Sequence, residues 1–129
     1  MTENITNILW IGFGGFLGSV SRYGTSKLFQ YLEITSFPFS TLTVNILGSL
    51  LLGFLTEMFL EFRSVNAGFA LFLTVGLCGG FTTFSTFTYE NIMMIRDGQY
   101  LLALLYIFAS VITGLLAFFG GLIIAKNIF

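Results

Sequence analysis

The chain has 129 residues, of which 56% are apolar, 18% are aromatic and only 9% are charged. Soluble domains carry charge on about a quarter of their residues, so this composition excludes an ordinary soluble globule. The net charge of −1 provides no basic surface, and we therefore expect no nucleic-acid partner. A single cysteine, Cys78, and the absence of histidine exclude an internal disulfide and a thiol or imidazole metal cluster.

Charge-free stretches divide the chain into four segments, at residues 4–21, 34–56, 64–89 and 98–125. Each approaches or exceeds the roughly 20 apolar residues that a transmembrane helix needs. The first stretch lacks the basic region of a secretion signal, and we interpret it as a retained helix. We therefore predict an all-α membrane protein that forms one domain over residues 1–129. Its four transmembrane helices are expected at about 5–30, 38–60, 66–95 and 99–126, with the third helix broken near its centre at 79–83.

Segment one carries glycines at a spacing that brings helices together. Gly14 and Gly18 are four residues apart, which lets a second membrane helix approach this backbone closely. Arg22 follows at the expected membrane edge. There it either gathers anions electrostatically or anchors the helix among lipid headgroups, and the sequence leaves both interpretations open.

Segment two places polar side chains inside the membrane. Thr41 and Asn45 are four residues apart and share one helix face. An unpaired amide in hydrocarbon is costly, so Asn45 should face protein, water or a ligand. An interhelical hydrogen bond and a binding role both satisfy this requirement.

Segment three contains two adjacent glycines, Gly79 and Gly80, followed closely by threonines. Such a run is a poor helix centre and predicts the break at 79–83. A break at membrane depth frees backbone groups, which either bind an ion or are satisfied by nearby hydroxyls. The available hydroxyls belong to Thr82, Thr83, Ser85 and Thr86.

Segment four presents one face of small and hydroxyl-bearing residues. Tyr106, Ser110 and Gly114 follow one another at intervals of four. This face is a packing seam or a polar rail, and the two interpretations are compatible.

The four predicted membrane stretches contain no acidic, basic or histidine side chain. Their polar groups are neutral hydrogen-bond donors, and phenyl rings are abundant. Donors and the positive edges of phenyl rings suit an anion. Because nucleophile, base and metal-ligand sets are missing from the sequence, we expect a protein that conducts an anion passively and is not an enzyme.

The loops carry nearly balanced positive charge. If the N-terminus is cytoplasmic, that side holds Arg63 and Lys126, while the opposite side holds Arg22, Lys27 and Arg96. The positive-inside rule then favours neither orientation. A chain without an orientation preference can insert both ways and pair as an antiparallel homodimer.

Three stretches carry a family resemblance, at residues 14–23 (GGFLGSVSRY), 41–48 (TLTVNILG) and 79–87 (GGFTTFSTF). They closely resemble the signature stretches of the Fluc (CrcB) fluoride channel family, and the resemblance covers essentially the whole chain. It implies a four-helix protein of the cytoplasmic membrane that forms an antiparallel homodimer with two pores and exports fluoride passively. The implied partners are fluoride, a second copy of the chain and membrane lipids.

The resemblance also assigns roles to individual residues. It places the pore asparagine at Asn45, the two pore phenylalanines at Phe84 and Phe87, and the polar track at Tyr106 and Ser110. We expect further pore donors and a basic vestibule at the neighbouring positions Thr41, Thr83, Ser85, Thr86 and Arg22.

Two positions at the break are implied as a metal site. The family's central sodium ion, held by backbone carbonyls on the dimer's two-fold axis, carries over to Gly79 and Thr82. A second track serine of some family members falls on Gly114, and the sequence leaves open whether Thr113 compensates.

Two other classes of protein share some of these features. Small multidrug exporters are also four-helix dimers of dual topology, but they need an acidic residue deep in the first helix, which segment one lacks. A purely structural membrane subunit would conduct no ion. Flux measured in liposomes with the purified chain separates these alternatives.

Overall fold

A computed structural model of the chain describes residues 2–62 and 65–129, and all regular elements in these ranges are helical. Arg63, which the loop-charge comparison includes, and Ser64, which begins the third charge-free stretch, lie outside the described residues. The elements in chain order are α1 (Thr2–Tyr31), α2 (Phe39–Glu61), α3 (Ala67–Leu71), a π-helical segment (Phe72–Cys78), α4 (Gly79–Phe81), α5 (Phe84–Arg96) and α6 (Tyr100–Ile128).

Three parts of the described chain are long and apolar enough to cross a membrane. They are α2, the stretch Ala67–Arg96 and α6. We call Ala67–Arg96 the third span. Helix α1 is 30 residues long but is less apolar, since it includes Glu3, Arg22 and Lys27. The structure therefore gives three candidate spans, and a membrane crossing by α1 stays a prediction.

Helix α1 packs against the third span through glycines, as the four-residue spacing predicted. A β-carbon on Gly14 would collide with the carbonyl oxygen of Phe72, and one on Gly18 would collide with that of Leu77. The two backbones therefore touch. Because the contacting residue numbers rise together, α1 and the third span run in the same direction.

The first half of the third span differs from the plain helix that we expected. Residues Phe72–Cys78 form a π-helix, which is wider than an α-helix. The Thr74 hydroxyl donates to the carbonyl oxygen of Ala70 at 2.8 Å and so competes for a helical acceptor just before this segment. Such side-chain insertion into the backbone ladder loosens and bends helices.

The break in the third span falls within the predicted range. Thr82 and Thr83 are extended, with φ/ψ of −78°/160° and −153°/121°, and α5 begins at Phe84.

Glycine contacts also bring α2 and α6 together, since β-carbons on Gly53 and Gly121 would collide with opposing backbone carbonyls. Helices α2 and α6 run parallel on the other side of the break.

Candidate functional site

The Asn45 carboxamide pairs with the backbone of the break. Its Nδ2 donates to the Thr83 carbonyl oxygen at 3.1 Å, and its Oδ1 accepts from the Thr83 N–H at 2.7 Å. This two-bond contact joins α2 to the extended residues between α4 and α5. One of the two Asn45 amide hydrogens is engaged in it, and the other is available to a ligand.

The pairing changes which backbone groups of the break are satisfied. In a continuous helix the Thr83 N–H would reach the Gly79 carbonyl, but here it donates to Asn45. The Thr86 N–H would likewise reach Thr82, but it donates to the Thr83 hydroxyl oxygen at 3.2 Å. The carbonyls of Gly79 and Thr82 therefore lose their helical donors.

Hydroxyl groups make further hydrogen bonds near the break. The Thr82 hydroxyl donates to the Cys78 carbonyl oxygen at 2.9 Å. The Thr83 hydroxyl lies 3.0 Å from that of Thr86 and 3.4 Å from that of Ser85, so the three form one cluster. The two interpretations of the break thus apply to different groups. The Thr83 hydroxyl accepts one N–H at the start of α5, while the Gly79 and Thr82 carbonyls are among those that lose their helical donors.

A cavity of about 330 Å³ lies between α2, the break and α6. Its lining residues are all uncharged, and seven of them are predicted site residues: Asn45, Gly79, Thr82, Thr83, Phe84, Phe87 and Ser110. The Ser110 Oγ is buried and has no hydrogen-bond partner among the described residues. A buried hydroxyl without a partner is costly, so this cavity presents a donor that a polar ligand would satisfy.

The two phenylalanines lie side by side at the cavity. The Phe84 and Phe87 ring centroids are 5.8 Å apart, and the Phe87 ring meets the Tyr106 ring at 5.1 Å with an interplanar angle of 62°. Phe84 is 79% exposed within the single chain. An apolar ring left this open lies where a further element can cover it.

Glu90 is a site residue that the sequence analysis missed. The Thr41 hydroxyl donates to Glu90 Oε1 at 2.7 Å, and the Tyr106 hydroxyl donates to Glu90 Oε2 at 2.8 Å. The charge-free stretch ends at residue 89, but both the predicted third helix at 66–95 and α5 include Glu90. The prediction that the membrane segments lack acidic residues is therefore wrong for the third helix. The hydroxyl hydrogens of Thr41 and Tyr106, both assigned to a polar pore, are donated to this carboxylate.

Arg22 lies at a second cavity, of about 260 Å³, together with Thr41, Thr83 and Thr86. Thr83 also lines the first cavity, so the break separates the two. Arg22 Nη1 donates to the Thr82 carbonyl oxygen at 3.4 Å. The guanidinium is thus directed toward the break.

Two positions left open by the sequence can now be placed. The Thr113 hydroxyl donates to the Ala109 carbonyl oxygen of its own helix at 2.6 Å, and Thr113 does not line the first cavity. It therefore does not supply the side chain that Gly114 lacks. Ser85 is exposed and lines neither cavity, whereas Thr86 lines the second.

Comparisons with known proteins give one consistent result. The family model described as "CrcB-like protein, Camphor Resistance (CrcB)" matches residues 9–122. The chain is similar to a protein of Chlorobium chlorochromatii named fluoride-specific ion channel FluC, with 45% identity over 98% of this chain and 97% of that protein. Proteins of the same name from Chlorobaculum tepidum and Flavobacterium psychrophilum are 46% and 45% identical, over 93% and 94% of this chain and 94% and 98% of those proteins.

Proposed function

The chain belongs to the CrcB-like (Fluc) family, and we propose that it is a passive, fluoride-selective channel of the cytoplasmic membrane. Its relatives are named as ion channels, in agreement with the prediction that the chain is not an enzyme. The observation that carries the proposal is the buried Ser110 hydroxyl, which has no hydrogen-bond partner in the described part of the chain and shares an uncharged cavity with Asn45.

The chemistry of this cavity suits a small dehydrated anion. Fluoride leaves its water shell only where other donors replace it, and Ser110 Oγ–H and the free Asn45 N–H are such donors. Phenyl ring edges, here of Phe84 and Phe87, carry the positive part of the ring quadrupole and face an anion favourably. Cations would find fewer acceptors, because one Asn45 oxygen lone pair is already used by Thr83.

Thr41 and Tyr106 support an anion path beyond this cavity. Their two hydroxyls converge on the Glu90 carboxylate, which shows that this pair can hold an anionic oxygen group. An incoming fluoride competes with the carboxylate for the same two donors. Arg22, at the neighbouring cavity, contributes a positive charge that attracts anions toward the break.

We propose an antiparallel homodimer as the functional unit. Phe84 is 79% exposed in the single chain, and a β-carbon on Gly79 would meet nothing within 4 Å. Both residues line the first cavity, so the cavity is open on a side that a second copy can close. Two-fold symmetry then gives two equivalent pores.

The freed carbonyls of Gly79 and Thr82 fit a monovalent cation such as sodium. They are uncharged hard oxygen ligands, whereas magnesium and calcium sites usually include carboxylates. Arg22 takes one side of the Thr82 carbonyl, and the second lone pair of that oxygen remains. In the proposed dimer the same two carbonyls from each copy would hold the ion, which would supply fixed positive charge beside the pores.

The proposed conduction is tested with purified protein in liposomes loaded with potassium fluoride. A passive channel releases fluoride only after valinomycin lets potassium balance the charge. We expect fast release of fluoride then, and slow release of chloride from liposomes loaded with potassium chloride instead. Proton-coupled transport, which the membrane-embedded Glu90 would permit, would release fluoride without valinomycin.

Phe87→Ile should lower fluoride release about tenfold, because an aliphatic side chain has no quadrupole. Phe119→Ile, outside the cavity, is the matched control, and equal rates for both variants would contradict a pore role for Phe87.

The proposed dual orientation is tested by biasing the loops. Glu33→Lys with Asp97→Lys adds positive charge where α2 and α6 begin, and Glu61→Lys with Asn127→Lys adds it where they end. Each double variant should insert in one orientation only and be inactive alone. Co-expression of the two should restore fluoride release. Full activity from one double variant alone would indicate a parallel assembly or a monomer.

The proposed sodium site is tested by exchange of sodium for N-methylglucamine. Removal of the ion should lower the thermal unfolding midpoint of the purified dimer, because sodium binds only the folded assembly. Gly79→Ala should reduce this sodium-dependent shift more than Gly12→Ala, whose added methyl group also meets open space in the single chain. A midpoint that is the same with and without sodium would leave the break without a cation.

A further inference from the structure

We propose that Ser49 of α2 is an additional anion-binding residue of the pore and that its hydroxyl fills the place left by Gly114 on α6. This inference rests on the proposed fluoride conduction and adds one donor to the path. Ser49 lines the first cavity together with Asn45 and Ser110. It is the next position on the Asn45 face of α2, one helical turn farther along.

Helices α2 and α6 keep one register along the cavity. Thr41 and Tyr106 are bridged by Glu90, and Tyr106 follows Thr41 by 65 positions. Asn45 and Ser110 line one cavity and have the same offset of 65. Because the helices run parallel, each step of four residues advances both by about 6 Å. The two pairs therefore lie one helical turn apart. We call each pair of facing residues, one on α2 and one on α6, a rung.

The same offset extends beyond Asn45 and Ser110. Gly53 lies against the backbone carbonyl of Phe118, again 65 positions later. Between these rungs the register pairs Ser49 with Gly114. A β-carbon added to Gly114 would lie 3.8 Å from the Ser49 Oγ, which places the two residues in contact.

The Ser49 hydroxyl is available to a ligand. Within the described part of the chain, its Oγ makes no side-chain hydrogen bond, whereas the hydroxyls of Thr113 and Thr56 donate to carbonyls of their own helices. Ser49 is also only partly buried and borders the cavity. Its donor is therefore free to bind an anion that leaves Ser110.

Ser49 continues the row of side-chain donors along the first cavity. Beyond Asn45 and Ser110, the described lining of the cavity on α2 and α6 consists of Gly48, Ser49, Leu52 and Val111. Gly114 offers no side chain, and neither leucine nor valine can donate a hydrogen bond. Without Ser49, α2 and α6 would offer an anion no side-chain donor at this position. Ser49 on α2 thus supplies the hydroxyl that α6 lacks at Gly114.

The test moves this hydroxyl from one helix to the other. Ser49→Ala should lower valinomycin-dependent fluoride release from liposomes about tenfold or more. The double variant Ser49→Ala with Gly114→Ser should recover most of the release, because the 3.8 Å separation leaves room for the new side chain. Thr43→Ala removes a hydroxyl from a different face of α2 and should release fluoride at the rate of the unmodified chain. Size-exclusion elution and thermal midpoints identify any variant that fails to fold.

The outcomes separate this inference from the proposed function. Unchanged release by Ser49→Ala, while the unmodified chain conducts fluoride, would overturn the role of Ser49 and leave the channel assignment intact. Loss of release that Gly114→Ser does not recover in a folded double variant would also overturn it, because a hydroxyl at this rung would then not be what the pore needs. An unmodified chain that releases no fluoride would contradict the proposed function itself.

Discussion

The pairing of Asn45 with the backbone of Thr83 is the contact on which the rest of the site depends. One carboxamide holds two extended residues in the middle of a helix that would otherwise have costly unpaired groups at membrane depth. It diverts the Thr83 N–H and so frees the Gly79 carbonyl, on the side where we propose a sodium ion. The same amide retains one hydrogen that can be donated into the neighbouring cavity. The proposed cation site and anion path therefore share one structural cause.

Glycine contacts hold the helices close enough for this arrangement. Gly14 and Gly18 bring α1 against the third span, and Gly53 brings α2 against α6. With backbones in contact, the parallel helices α2 and α6 keep a constant register over several turns. Donors at four-residue intervals then lie opposite one another, and a row of neutral groups results. This close packing makes the arrangement rigid. No charged residue in the described part of the chain lines the first cavity.

Much of this arrangement could be predicted from the sequence, because costly groups in a membrane leave clear signals. An asparagine in an apolar stretch indicated a satisfied polar contact, and Gly79-Gly80 before threonines indicated the break. Glu90 was missed because charged groups were sought only in the charge-free stretch, which ends at residue 89, although the predicted third helix at 66–95 already included Glu90. The partner of Asn45 could not be predicted either. Helix register decides which of several nearby groups forms a hydrogen bond with the amide. The register depends on helix packing, which the spacing of residues in the sequence does not give.

Fluoride release by Asn45→Asp tests the central claim most directly. Aspartate keeps an oxygen that accepts the Thr83 N–H, but it replaces the amide donor with a negative charge that repels an anion. We expect liposomes with this variant to release fluoride at least about tenfold more slowly than those with the unmodified chain, while the protein still elutes as the proposed dimer. Release at the unmodified rate from a folded Asn45→Asp dimer would contradict the account, because the amide would then serve packing alone.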